Sequence, residues 1–311
     1  MKRPITDVLR RGFDSAFANW PLIALRIAEN VLFAILIIGG VIAAVVPVLV
    51  SIGLSGFNVD KPDEAAATIG TALLAHIAVF LWIFAGAFVL LCVLLVVHAF
   101  VIAGCAQTLV DAERSAGTLK VFNMERWLSG GRHSMWTVFW IYNITYGTTV
   151  AIVLVPLAIT LAAILAFHSN GPLVACIGCF GLAVSVFLLI LACVVAAIWS
   201  LKAIILAVER NLDASDATKL AWAEAKADFG RHFAVAFVLF VISFGGAMTI
   251  GMFSAVFSFP SAHATYISLM FAPARIVISI LQSAFSAAVG MWMLASFAAL
   301  SDASTPVSSR A

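Results

Sequence analysis

The chain has 311 residues, 64% apolar and only 10% charged, with 17 Lys and Arg against 15 Asp and Glu for a formal net charge of +2. Soluble domains run about half apolar and about a quarter charged, so a water-soluble globule is excluded, as are a disordered chain, a collagen and a disulfide scaffold. The near-neutral balance offers nothing to a polyanion, and no nucleic-acid partner is indicated.

The first element is a charged arm. Ile5, Val8, Leu9, Phe13, Phe17 and Trp20 fall near helical spacing, and Arg10, Arg11 and Asp14 lie on the other face. That pattern predicts an amphipathic helix in the membrane interface, apolar side toward the acyl chains and basic side toward phosphates. No apolar core precedes Ala16-Phe17-Ala18, so the arm is not expected to be a removable signal peptide.

Charges are costly in hydrocarbon, so charge-free gaps map the membrane segments. They cover residues 30–59, 65–110, 133–201, 232–274 and 276–301. A span needs about 20 apolar residues, and turn residues divide the longer gaps at His168-Ser169-Asn170-Gly171-Pro172 and Ser258-Phe259-Pro260-Ser261-Ala262-His263. Six spans result, at about 21–52, 68–103, 134–166, 173–205, 231–257 and 274–301. The gap at 65–110 could hold two, but Trp82 to Phe88 contains no Pro, Asn, Asp or Ser to turn the chain. One long helix running on toward Asp111 is therefore expected. Pro47 and Pro156 should kink their spans, and Pro273 opens the sixth. Gly39-Gly40 and Gly245-Gly246 with Gly251 permit close helix packing.

With six spans the loops divide thirteen cations against two, which predicts both termini on the cytoplasmic side of a bacterial inner membrane. The fold expected is all-α: a polytopic transmembrane helix bundle with three cytoplasmic interfacial amphipathic helices, at Ile5–Trp20, Thr118–Arg132 and Ser215–Arg231. These segments resemble one another. The second and third end alike in Gly131-Arg132-His133 and Gly230-Arg231-His232, with Lys120 matching Lys219 and Glu125 matching Glu224. The first and third align as Asp7/Asp216, Arg10/Lys219, Phe13/Trp222 and Trp20/Phe229. The chain thus reads as one transmembrane domain of three pseudo-repeats, about 4–110, 115–208 and 213–302, with a short tail at 303–311.

Elbows such as Asp213-Ala214-Ser215-Asp216-Ala217 and Phe229-Gly230-Arg231-His232, each tied to a long hairpin, carry a resemblance. The chain resembles uncharacterised bacterial six-span integral membrane proteins grouped with the membrane domain of glycerophosphoryl diester phosphodiesterases. In that family the activity resides in a separate soluble barrel with an H-R-G start and an acidic metal cluster. Here the order is Arg132-His133 and Arg231-His232, and no soluble stretch long enough for a barrel remains. The resemblance therefore implies a membrane module without that activity.

Intramembrane ionisable residues are candidate sites by default. Arg26, Glu29 and Asn30 share one helix face early in the first span, where Arg26 can pair with Glu29. Lys202, leaving the fourth span on the same side, is another partner open to Glu29. Asn143 sits in the third span with Thr145, Thr148 and Thr149, where helix-to-helix hydrogen bonding is the usual role. His76, His98 and Gln107 punctuate the second span without metal-ligand spacing. Arg10, Arg11, Arg126, Arg132, His133, Arg231 and His232 are the candidate headgroup contacts. The five cysteines, Cys176-x-x-Cys179 included, read as small apolar filler. No phosphate loop, metal-ligand cluster or nucleophile set occurs, so no cofactor, no metal and no catalytic residue are expected. The function expected is that of a non-enzymatic, lipid-interacting or membrane-organising accessory protein, with membrane lipids and a protein partner or a second copy as its associates. The alternative is a small transporter or channel working through Glu29, Arg26 and Asn143.

Overall fold

The structure, a computed structural model, describes residues 3–52, 77–115, 118–167, 171–258 and 265–301. The described residues form eight helices: α1 (Ile5–Ala18), α2 (Pro21–Ile52), α3 (Ile77–Arg114), α4 (Met124–Ala166), α5 (Gly171–Arg210), α6 (Ala214–Ala227), α7 (Phe229–Ser258) and α8 (Thr265–Ser301). Six of them, α2 to α5 with α7 and α8, are long and apolar enough to cross a membrane. The chain is a polytopic membrane protein with six candidate spans. His76, the acidic stretch Asp60 to Glu64, the turns at 168–170 and 259–264, and the tail at 303–311 lie outside the described residues.

Helix boundaries follow local chemistry. Pro21 stands at the first position of α2, where its missing N–H costs nothing. Asn123 caps α4, its Oδ1 accepting from the amides of Glu125 and Arg126, and Asp213 caps α6 through the amide of Asp216. At the end of α5, Asn211 takes a left-handed conformation with φ 52°, and the Leu212 amide reaches back to the Ala207 carbonyl at 3.0 Å. Asn tolerates that conformation better than most residues. Across Trp82 to Phe88 α3 is continuous, as expected where no residue turns the chain.

Two expectations are corrected. Helix α8 starts at Thr265, so Pro273 lies inside it rather than opening it. The middle charged segment is not a separate helix: residues 118–123 are non-helical, and Met124 begins a helix that runs unbroken to Ala166. In the other two segments a polar C-cap residue, Asn19 or Asp228, interrupts the helix before the span. The matching position in the middle segment is Ser129, inside the helix.

The chain divides into two compact units, Met1–Leu25 with Ala99–Ala311, and Arg26–His98. In the first, α1 packs on α8, α4 on α5, α5 on α6 and α7 on α8. Two glycines allow close approach of a neighbouring backbone. A Cβ on Gly12 would lie 2.7 Å from the backbone nitrogen of Ser296, and one on Gly104 would lie 2.7 Å from the carbonyl oxygen of Trp127. Gly246 faces the Phe285 ring, whereas Gly39, Gly245 and Gly251 face open space. In the second unit Gly40 lies under the Leu90 side chain. The outward faces carry Ile35, Phe84, Phe180, Phe240 and other large apolar residues, as a lipid-facing surface requires.

Candidate functional site

Within the first unit, α1 and α6 correspond position by position at an offset of 209 residues. Both are 14 residues long, and Val8, Gly12 and Ala16 bury the same face as Ala217, Ala221 and Ala225. Each is held by a tryptophan from a span. Trp292 of α8 donates its indole N–H to the Leu9 carbonyl at 2.8 Å and meets the Phe13 ring edge-on at 5.2 Å. Trp199 of α5 donates to the Thr218 carbonyl at 2.7 Å and lies 5.3 Å from the Trp222 ring. Leu9 and Thr218, and Phe13 and Trp222, are equivalent positions. The sequence comparison reached the aromatic pair but neither tryptophan, because the clasps join residues 283 and 19 positions apart.

Buried polar groups tie the charged segments together. Asn19, fully buried, donates to the carbonyls of Ser15 at 2.9 Å and Leu119 at 2.7 Å. Its Oδ1 accepts from the amides of Val121 at 3.0 Å and Phe122 at 2.9 Å. Glu113, with its side chain 3% exposed, takes Arg3 at 3.2 Å and Arg11 at 3.1 Å. Glu224 takes Lys202 at 2.9 Å and Arg210 at 3.2 Å. Lys202 is itself buried and also donates to Ser301 Oγ at 2.8 Å. Arg114 reaches the Glu209 carbonyl, Arg231 reaches the Arg3 carbonyl, and His133 donates from Nε2 to Asn211 Oδ1 at 2.9 Å. Helices α3, α5 and α8 end in this network and α4 and α7 begin in it. The charged segments therefore lie at one end of the unit.

Among the headgroup candidates the structure separates two groups. Arg10, Arg126, Arg132 and His133 are exposed; Arg10 lies 4.0 Å from Asp14 and Arg126 3.7 Å from Asp111. Arg11 is engaged by Glu113. Arg231, largely buried, faces Asp228 and the Arg3 carbonyl. His232 is 5% exposed and donates from Nδ1 to the Asp228 carbonyl at 2.9 Å. Burial removes Arg231 and His232 from the surface a headgroup reaches. Three small clefts line the start of α4, edged by Lys120, Arg126, Ser129, Arg132 and His133.

The intramembrane candidates are divided between the two units. Asn143 is exposed and donates to the Phe139 carbonyl of its own helix at 2.8 Å. Lys202 makes its ion pair with Glu224. In the second unit Glu29, its side chain 1% exposed, pairs with Arg26 through Oε2 and with His98 Nδ1 through Oε1 at 2.8 Å. Arg26 Nη1 also lies 3.0 Å from His98 Nδ1. Asn30, half-buried, follows Glu29 on α2. His98 was missed as a member of this cluster; its one signal was being an ionisable residue in a long charge-free run. Comparisons of the chain with known protein families, curated proteins and solved structures find no match.

Proposed function

We propose that this chain is a non-enzymatic protein of the bacterial inner membrane whose charged end engages phosphate headgroups and organises lipid there. One observation carries the reading. Exposed cations share the charged end of the first unit with exposed aromatics, and Glu113, Glu224 and Asp228 take up other cations there. Side chains of Arg10, Lys219 and Arg126 are 85%, 75% and 64% exposed. Phe13, Phe17, Trp20, Trp222 and Phe229 are exposed on the same segments. Aromatic residues favour the headgroup level, and each cation near an anionic surface contributes about 1 kcal/mol. Both termini are cytoplasmic in this reading, by the bias of positive charge. Membrane lipids are the partners, with a second copy or an accessory subunit as the further associate.

The test is native mass spectrometry of the protein purified from a membrane rich in anionic phospholipid. Reversing Arg10, Arg126, Arg132 and Lys219 to Glu together should cut the retained anionic lipid several-fold. An unchanged lipid complement in a folded variant would sink the reading.

A further inference from the structure

The middle charged segment differs from the third in a way that leaves its side chains open to a ligand. In the register set by Gly131 and Gly230, Glu125 matches Glu224, Ser129 matches Asp228 and Arg132 matches Arg231. The third segment satisfies these positions within the chain. Glu224 takes Lys202 and Arg210, and Asp228 lies 3.9 Å from Arg231. Three residues before Arg132, however, stands a serine where Arg231 has a carboxylate. Lys120, Glu125, Ser129 and Arg132 are exposed, and among the described residues their side chains make no hydrogen bond or ion pair.

The same residues border open clefts of about 660, 400 and 500 Å³. Lys120, Glu125 and Ser129 edge the first, Gln107, Asp111 and Ser129 the second, and Glu125, Ser129 and Arg132 the third. Ser129 borders all three, so the clefts adjoin around its hydroxyl. Lys120 and Arg132 supply charged N–H donors and Ser129 an O–H, a set that suits the oxygens of a phosphate diester. Glu125, once ionised, only accepts. A headgroup hydroxyl can donate to it, but a primary ammonium makes the stronger, charge-assisted bond. Further along α4 the same face turns apolar. Trp136 and Trp140 follow Ser129 by about two and three helical turns and are 57% and 56% exposed. The Phe139 ring meets them edge-on at 5.7 and 5.6 Å. A water-soluble phosphate compound gains nothing from that strip, whereas acyl chains do.

We propose that the start of α4 binds one phospholipid whose headgroup carries a primary ammonium beside its phosphate. Lys120, Ser129 and Arg132 take the phosphate, Glu125 takes the ammonium, and the chains lie along Trp136 and Trp140. Basic pockets beside membrane helices hold lipid headgroups in this manner, and indoles favour the adjoining depth. This inference rests on the reading that the charged end engages phosphate headgroups, and adds one selective site to it. The first and third segments do not repeat the site, because Arg126 matches the buried Ala16 and Ala225 there and the Ser129 position is the capping Asn19 or Asp228.

The experiment equilibrates the full chain with equal amounts of phosphatidylethanolamine and phosphatidylglycerol, then strips loosely held lipid by collisional activation in native mass spectrometry. The wild type should keep one phosphatidylethanolamine. Ser129→Asp gives Arg132 the carboxylate that Arg231 has, and should lower that occupancy several-fold while leaving bound phosphatidylglycerol unchanged. Glu125→Gln should still hold one lipid but shift the choice several-fold toward phosphatidylglycerol. Both positions are exposed, and circular dichroism checks that the variants are folded. A wild type that keeps no phosphatidylethanolamine, or one whose phosphatidylethanolamine is unaltered in both variants, would overturn the proposal. Displacement of the lipid by glycerophosphoethanolamine, the same headgroup without chains, would overturn the assignment to a lipid. The headgroup reading fails separately, on the fourfold charge reversal and its anionic lipid count.

Discussion

At the charged end, single side chains do work that spacing alone does not reveal. Glu224 pairs with a lysine that is 2% exposed and with an arginine from the end of α5. Removing one partner of a buried pair leaves an uncompensated charge and costs about 3–5 kcal/mol, whereas replacing the whole pair by apolar groups is often tolerated. Glu224→Gln is therefore expected to lower stability steeply, and adding Lys202→Met to restore much of it. A double-mutant cycle from chemical denaturation in mixed micelles measures both effects, and additivity would show that Lys202 and Glu224 do not couple. The pairing of Arg26 with Glu29 was legible in the chain, because residues three apart share a helix face. His98, 69 positions from Glu29, was not. Asn19 was invisible for the same reason: three of its four side-chain hydrogen bonds go to residues 119–122.

Among elements, the match between α1 and α6 reaches further than identities suggest. Their exposed charges align only in part, but buried positions align as Val8/Ala217, Gly12/Ala221 and Ala16/Ala225, and each helix receives one indole hydrogen bond. A net hydrogen bond contributes about 1 kcal/mol. Trp292→Phe and Trp199→Phe should therefore each lower stability by about 1 kcal/mol, and to a similar extent. Thermal unfolding of the two purified variants checks this; a large loss in one and none in the other would mean that the clasps are not equivalent. The middle segment departs from the pattern because nothing interrupts its helix. Trp127, Gly130 and Gly131 pack directly on Gly104, Gln107 and Phe100 of α3, so the elbow is absorbed into α4. Sequence similarity between Gly131-Arg132-His133 and Gly230-Arg231-His232 hid that difference, since neither motif contains the capping residue that makes the break.

For the whole molecule, topology is the testable quantity. In a chain whose five cysteines are replaced, single cysteines at Lys120 and Lys219 should both react with an impermeant thiol reagent from the cytoplasmic side. One at Gly171, at the far end of α5, should react from the other side. Opposite labelling of positions 120 and 219 would break the hairpin arrangement. Composition by itself determined the membrane solvent, and the cost of charge in hydrocarbon located six apolar helices, although α4 and α8 begin at Met124 and Thr265, about ten residues before the expected span starts. Both are one-dimensional consequences of transfer free energy and need no knowledge of neighbours. Which cations face outward was decided only by tertiary structure. Thirteen cations fall on one side by sequence, yet Arg3, Arg11, Lys202, Arg210 and Arg231 are engaged by Glu113, Glu224 and Asp228. A carboxylate and a guanidinium far apart in the chain meet only when helices pack, and helical periodicity carries no information about that encounter. The 10% of charged residues thus does two jobs, holding one end of the bundle together from within and presenting the remainder outward.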